Sequence, residues 1–294
     1  MFRSLSVLGV SVLSLALSAG AASAATAWPS TSTGTNIGGA LPSGFEPSGI
    51  VWDNPSGYLW VVDDEGQLAR MQRNGAGTTV WTIQTGLDLE SIAVTGSTFK
   101  LYLGVEYPPQ ILEYNTSTTS AAPTYANKNW QLTSLPADAT NGMEGLTWVP
   151  NGYHPYANTA SGGVFYASSQ QNGTIYVYDV DLAHGSTAPV LLDSFTPDSS
   201  QHDISDLYYS TDTQTLFVLY DSANRLREVS TSTTLYPTVK NWVLPSGTSG
   251  QEGVTLLPQC PGSLTNIFIA DDDGASAHNV YSFNNFPQAC KPAP

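Results

Sequence analysis

Basic residues are scarce in this chain. Nine lysines and arginines stand against 24 aspartates and glutamates in 294 residues, for a formal net charge of -15. So few cations leave little with which to grip phosphate backbones, which argues against nucleic acid. The same balance disfavours an anionic membrane surface. Charge of either sign is thin, at 11% of residues, so solubility rests on Ser, Thr, Asn, Gln and Gly. No Gly-x-Ser-x-Gly elbow, His-Glu-x-x-His pair or phosphate-cradling glycine loop occurs, which removes the serine-elbow hydrolase, helix-borne zinc site and P-loop classes. No apolar run is long enough to span a bilayer, and no amphipathic helical period runs through the chain after residue 24.

The start of the chain reads as an export signal. Arg3 supplies the positive charge, Val7 to Leu17 a short apolar stretch, and Ala22-Ser23-Ala24 a small-residue cleavage site, with Ala27 an equivalent alternative. The expected layout is a signal peptide over 1–24, a flexible segment over 25–34, one domain over 35–290 and a tail over 291–294, in a secreted or periplasmic protein. The only cysteines are Cys260 and Cys290. In an oxidising compartment two cysteines most simply pair; a reactive or metal-binding thiol pair is the alternative.

One short phrase recurs five times: Glu46-Pro-Ser-Gly-Ile, Asp88-Leu-Glu-Ser-Ile, Gly142-Met-Glu-Gly-Leu, Asp203-Ile-Ser-Asp-Leu and Gly250-Gln-Glu-Gly-Val. Their first apolar residues, Ile50, Ile92, Leu146, Leu207 and Val254, are spaced 42, 54, 61 and 47 apart. That period suits a four-stranded propeller blade. Within each repeat, β-rich runs alternate with Asn, Gly and Pro turns, as in Tyr58-Leu-Trp-Val-Val62 followed by Asp63-Asp64-Glu65-Gly66. The sequence therefore predicts an all-β, five-bladed β-propeller. The fifth repeat lacks a fourth strand, and only a Pro-containing tail follows Phe283; the segment around Asn36 to Ala40 is expected to complete the last blade and hide its edge. Six blades, with the extra one in the long third repeat around 151–163, and an unrelated β-sandwich are the alternatives.

In a propeller the first strand of each blade lines the channel, so these phrases gather carboxylates at one mouth. The candidate metal ligands are Glu46, Asp88, Glu90, Glu144, Asp203, Asp206 and Glu252. By strand alternation Glu90, Glu144 and Glu252 are equivalent to Ser48 and Ser205, and Asp206 falls out of that register. The loop after each second strand shares the rim and adds Asp63, Asp64, Glu106, Asp221 and Asp271; the third repeat's loop, Ser168 to Gln171, is uncharged. Crowded carboxylates repel, so they are protonated, neutralised by a cation, or bonded to backbone amides. Oxygen-only donors in a wide ring suit calcium over magnesium. Capping of loop amides is the purely structural reading of the same residues. His202 abuts Asp203 and is the best placed candidate general base. Tyr107, Tyr220, Trp52 and Trp148 are candidate ligand walls, with packing between blades the favoured role.

These phrases, with the Asp63 to Gly66 loop, resemble the SdiA-regulated domain family of exported bacterial β-propellers over about Glu46 to Phe283. A weaker likeness runs to phytase-like and esterase-like secreted propellers. The first resemblance implies a propeller with an acidic, calcium-compatible cavity; the second implies calcium and an acidic rim acting on phosphate esters. Three readings follow: a non-catalytic propeller that binds a divalent cation and recognises a small molecule or protein at its rim, a calcium-dependent hydrolase of phosphate esters or lactones, and a structural scaffold.

Overall fold

The structure is a computed structural model that describes residues 24–29, 33–97, 99–117, 121–185, 187–245, 250–272 and 279–294. Nearly all of the segment expected to be a signal peptide lies outside them, as does Asp273, two residues after the expected rim residue Asp271. Among the described residues, twenty strands form five antiparallel four-stranded sheets. Blade 1 holds β2 (Pro47–Asp53), β3 (Tyr58–Asp63), β4 (Gln67–Met71) and β5 (Thr79–Thr82). Blade 2 holds β6 (Leu89–Ala93), β7 (Lys100–Val105), β8 (Gln110–Asn115) and β9 (Thr124–Gln131). Blade 3 holds β10 (Met143–Pro150), β11 (Gly163–Ser169), β12 (Thr174–Asp179) and β13 (Val190–Phe195). Blade 4 holds β14 (Ile204–Ser210), β15 (Thr215–Tyr220), β16 (Arg225–Ser230) and β17 (Thr238–Val243). Blade 5 holds β18 (Gln251–Leu256), β19 (Leu264–Asp271), β20 (Asn279–Pro287) and, from the start of the chain, β1 (Thr35–Asn36). The fold is the expected five-bladed propeller.

Closure differs in detail from the sequence reading. The closing strand sits earlier than Asn36–Ala40: Thr35 pairs with Ser282 and Asn36 with Tyr281, and the Ile37 amide donates to Val280 O at 2.7 Å. The chain then turns, with the Leu41 amide donating to Gly38 O at 2.8 Å, so Gly39 and Ala40 cannot extend the strand. Chain beyond Phe283 is not tail: β20 continues to Pro287, with a register shift opposite Thr265 to Ile267. Residues 151–162 form no sixth blade; they link β10 to β11.

The middle strands are buried on both faces, which explains their near-continuous apolar runs. In β11, Phe165 and Ala167 face blade 2 and join Tyr102, Trp130 and Trp148, while Val164 and Tyr166 face blade 4 and join Tyr209, Leu216 and Val218. Five such clusters fill the five gaps between blades. Trp130 and Phe165 are fully buried, worth about 1.5–3 kcal/mol each. Trp148 and Tyr220 are likewise buried between blades.

The five inner strands pack side by side around the channel, and small residues set their approach. A Cβ on Gly49 would stand 2.8 Å from Glu90 O and Ser91 Cα, and one on Gly253 would stand 2.9 Å from the Ile50 amide nitrogen. Blade 4 has Asp206 at this position instead. Its carboxylate accepts a hydrogen bond from the Val254 amide at 2.8 Å, tying blade 4 to blade 5. Cys260 and Cys290 form a disulfide with Cα atoms 5.8 Å apart. It lies at the end of the molecule away from the acidic phrases, where Asp212 accepts from the Gln259 and Cys260 amides at 3.0 and 3.1 Å. Among the described residues no helix is long and apolar enough to cross a membrane.

Candidate metal centre

Each inner strand carries a register shift at the same place: between Pro47 and Gly49, Leu89 and Ser91, Met143 and Leu146, Ile204 and Asp206, and Gln251 and Gly253. The residues skipped by the pairing are Ser48, Glu90, Glu144 with Gly145, Ser205 and Glu252. A β-bulge leaves its residue unpaired and re-aims its side chain. Five repeated bulges therefore set three glutamates and two serines at one level of the ring.

Among the described residues one close grouping of acids stands out, in blade 2. Single carboxylate oxygens of Asp88, Glu90 and Glu106 lie within 4.8 Å of one another. The β6–β7 hairpin brings them together: Leu89 pairs with Val105, and the Glu106 amide donates to Asp88 O at 2.9 Å. Glu106, read from the sequence as a rim residue, thus stands with the channel pair.

Electrostatics ties the other blades to this trio. Burial pushes the Glu90 carboxyl well above its usual range, helped by the charges of Glu144, Asp88 and Glu252 and by a hydrogen bond with Asp88. Glu90 is half-buried. Glu144 is buried and raised by that burial, then by Glu252, Glu106, Asp203 and Asp88. Burial also carries Glu252 up to about 8, with Asp221, Asp272, Asp203 and Asp271 adding repulsion. Glu106 rises to about 7 through burial and then its hydrogen bond with Asp88, while the Gly142 amide, donating at 3.0 Å, pulls the other way. Asp64 reaches about 7 through burial, then Asp63, Glu46, Glu65 and Asp88. All five blades contribute to one crowded field.

Other predicted residues cap backbone. Asp63 is buried and accepts from the amides of Glu46, Glu65 and Gln67 at 3.3, 3.0 and 3.1 Å. Asp203 accepts from the Gln170 side chain at 3.2 Å and the Ser222 amide at 3.1 Å. Asp221 accepts from the Gln251 amide at 3.0 Å. Asp206 is spent on Val254, and Asp271 is buried at the end of β19. Glu46 is half-buried just before β2. His202 is exposed, with Nδ1 3.2 Å from Asn172 O. Tyr107 is exposed, and Trp52 lies at the opposite mouth. There a 290 Å³ cavity is walled by Trp52, Trp148, Tyr208, Tyr209 and Pro258.

Sequence reasoning missed Asp138. It accepts from the Thr140 amide at 2.9 Å, a bond that leads in lowering its pKa to about 2, and its charge acts on Glu106. It sits in an inter-blade loop outside the repeated phrase; the local Asp-x-Thr turn was its only signal.

The donor set meets the demands of a hard cation. Carboxylate and hydroxyl oxygens surround the mouth, and a positive ion would offset both the burial that chiefly raises these acids and the repulsion that adds to it.

Residues 43–274 match the family model described as phytase-like, esterase-like activity of phytase. No protein of curated function matches the chain in sequence. Among solved structures, Myxococcus xanthus glutaminyl cyclase is similar with a TM-score of 0.55 and 12% identity, over 82% of this chain and 91% of that one. A protein of unknown function from Bacteroides caccae has a TM-score of 0.48 at 12% identity, over 85% and 84%. A luciferin-regenerating enzyme has a TM-score of 0.45 at 14% identity, over 85% and 94%. The glutaminyl cyclase likeness is one of fold.

Proposed function

The chain belongs to the phytase-like family, and we propose that it is an exported propeller whose acidic channel mouth binds a divalent cation, with calcium the best match, and recognises a ligand there. The observation that carries this is the trio Asp88, Glu90 and Glu106, with carboxylate oxygens within 4.8 Å of one another. Crowding of that kind is stable when a cation offsets it, and an all-oxygen set favours calcium. Asp88, Glu90 and Glu106 would hold the ion, with Glu144 and Glu252 adjoining. Export is supported by the signal-like start and by the disulfide, which suits an oxidising compartment. The finer likeness to SdiA-regulated propellers rests on the same acidic phrases and points to the same cavity.

A second reading, ester hydrolysis, is favoured by the family description and by Glu252. A carboxyl raised to about 8 can give and take protons near neutral pH. A bound cation would supply Lewis-acid polarisation of an ester oxygen. Glu106 would help hold the ion, Glu252 would serve as proton carrier at the mouth, and the caps on Asp63, Asp203 and Asp221 would keep its loops rigid.

Calorimetric titration of chelator-stripped protein with calcium tests the first reading. Saturable binding is expected, weakened at least about tenfold in Asp88→Asn and Glu90→Gln. Absence of binding in protein shown metal-free by elemental analysis refutes it. Phosphomonoester, phytate, lactone and aryl-ester substrates with calcium then test the second. A calcium-binding protein that turns over none of them is not a hydrolase of those classes.

A further inference from the structure

The outer part of blade 4 carries a feature of opposite sign to the channel mouth. We propose that it is a binding site for a compact oxyanion, the phosphate or carboxylate end of a small ligand. A cavity of 140 Å³ lies there, lined by Asp198, Gln201, Tyr220, Arg225, Arg227 and Asn241. This volume admits a single head group but not a drug-sized molecule.

Strand register builds the site. Tyr220 pairs with Arg225 across β15 and β16, and Arg227 pairs with Asn241 across β16 and β17. Directly paired residues share a face, as do residues two apart along a strand. Tyr220, Arg225, Arg227 and Asn241 therefore project from one side of the sheet, and the chain from Pro197 to Gln201 covers them.

The inventory of this pocket is rich in donors. Arg227 is buried, pairs with Asp198 through Nη2, and donates to Pro197 O at 2.5 Å through Nη1; its Nε has no partner. The Tyr220 side chain is 1% exposed, lines the cavity, and its hydroxyl has no hydrogen-bond partner. A buried, unpaired hydroxyl in a native fold calls for an acceptor. Arg225 is half-buried, and its guanidinium donates to Asn224 O at 3.3 Å. Among the described residues no carboxylate lies within ion-pair distance of it. The single acid of the pocket is already matched by Arg227, so one positive charge is left over on a chain of formal net charge -15. A planar guanidinium fork beside neutral donors fits carboxylate and phosphate oxygens.

The site stands apart from the channel chemistry. In the sheet order β14-β15-β16-β17, β16 lies two strands out from the channel, about 10 Å at about 4.8 Å per strand. Both are reached from the same face, since the loop between β15 and β16 also caps Asp203 through Ser222. A ligand anchored by its anionic end here can extend to the mouth, but anion binding does not require that the mouth hold a cation.

The test uses the full mature chain, with chelator present so that calcium cannot recruit the anion. Inorganic phosphate and acetate are titrated at constant ionic strength against chloride, and amide and guanidinium NMR shifts are followed at Gln201, Ala223 and Arg225. Saturable shifts there are expected for at least one anion, and the anion that binds identifies the head group. Arg225→Gln should weaken that anion at least about tenfold, with Arg225→Lys intermediate because it keeps the charge and loses the fork. Tyr220→Phe should weaken it by a smaller factor, and Glu90→Gln, which strikes the calcium trio, should leave it unchanged. Melting curves without anion identify any variant that is merely unfolded, and Tyr220→Phe then stands in for Arg225→Gln. No saturable shift with either anion, or equal affinity in Arg225→Gln and wild type, overturns the proposal.

Discussion

Removing the charge of Glu252 should make the metal-free protein more stable at alkaline pH. In the fold this carboxyl is lifted from its ordinary 4.5 to about 8, first by burial and then by Asp221, Asp272, Asp203 and Asp271. The folded state thus holds a proton that the unfolded chain releases. Stability from this group is fully present below about pH 4.5 and is lost as pH climbs through about 8. One pH unit inside that window is worth about 1.4 kcal/mol. From about pH 5 to about pH 8 the loss from Glu252 amounts to about 3.5 kcal/mol as an upper figure. For a domain of this size each kcal/mol moves Tm by about 2–4 °C. Chelator-stripped wild type should therefore melt up to about 7–14 °C lower at about pH 8 than at about pH 5 from this group alone. Glu252→Gln should remove that share of the drop. Differential scanning calorimetry at the two pH values, with and without calcium, reads it out, and calcium should restore wild type at about pH 8. Equal or higher wild-type stability at about pH 8 without metal would refute the claim that this carboxyl is desolvated and crowded.

Asp206→Ala should cost about 1–3 kcal/mol, because it strands the buried Val254 amide that Asp206 holds at 2.8 Å. Asp206→Asn keeps an acceptor and should cost less; urea unfolding that gives equal losses would dismiss the inter-blade tie. Gly49→Ala puts a methyl 2.8 Å from Glu90 O and Ser91 Cα, and overpacking against backbone should cost about 1–3 kcal/mol and weaken calcium binding by shifting Glu90. Replacing Cys260 and Cys290 by Ser should cost about 2–4 kcal/mol while leaving calcium affinity intact, since the bridge lies at the far end of the channel. A calcium titration of the double variant checks the second half of that statement.

Much of the architecture was legible because it is periodic. The acidic phrase marks each inner strand, and Asn, Gly and Pro turns delimit the hairpins, so β3, over Tyr58–Asp63, falls where the run Tyr58 to Val62 put it. Limits set by distant contacts were not legible. Nothing local to Asn284 or Asn285 says that β20 runs on to Pro287; its pairing with Leu264 and Thr265 decides that. The roles of the acids were also hidden. Asp203, Asp206 and Asp221 are spelled like the others, yet their donors are Ser222, Val254 and Gln251 from other segments. Asp138 and the Arg225–Tyr220 face lie outside the repeated phrase, so repeat alignment passed over them.

The sequence by itself determined the number of blades, the hand-over from one end of the chain to the other, and the mouth at which carboxylates collect. Repetition and alternation are local properties of the chain, and they suffice for that. Only the tertiary structure decided which carboxylates cap amides, which repel one another across the channel, and where two arginines meet an unpaired tyrosine. Those outcomes depend on groups a few ångströms away in space that come from strands tens of residues away in the chain.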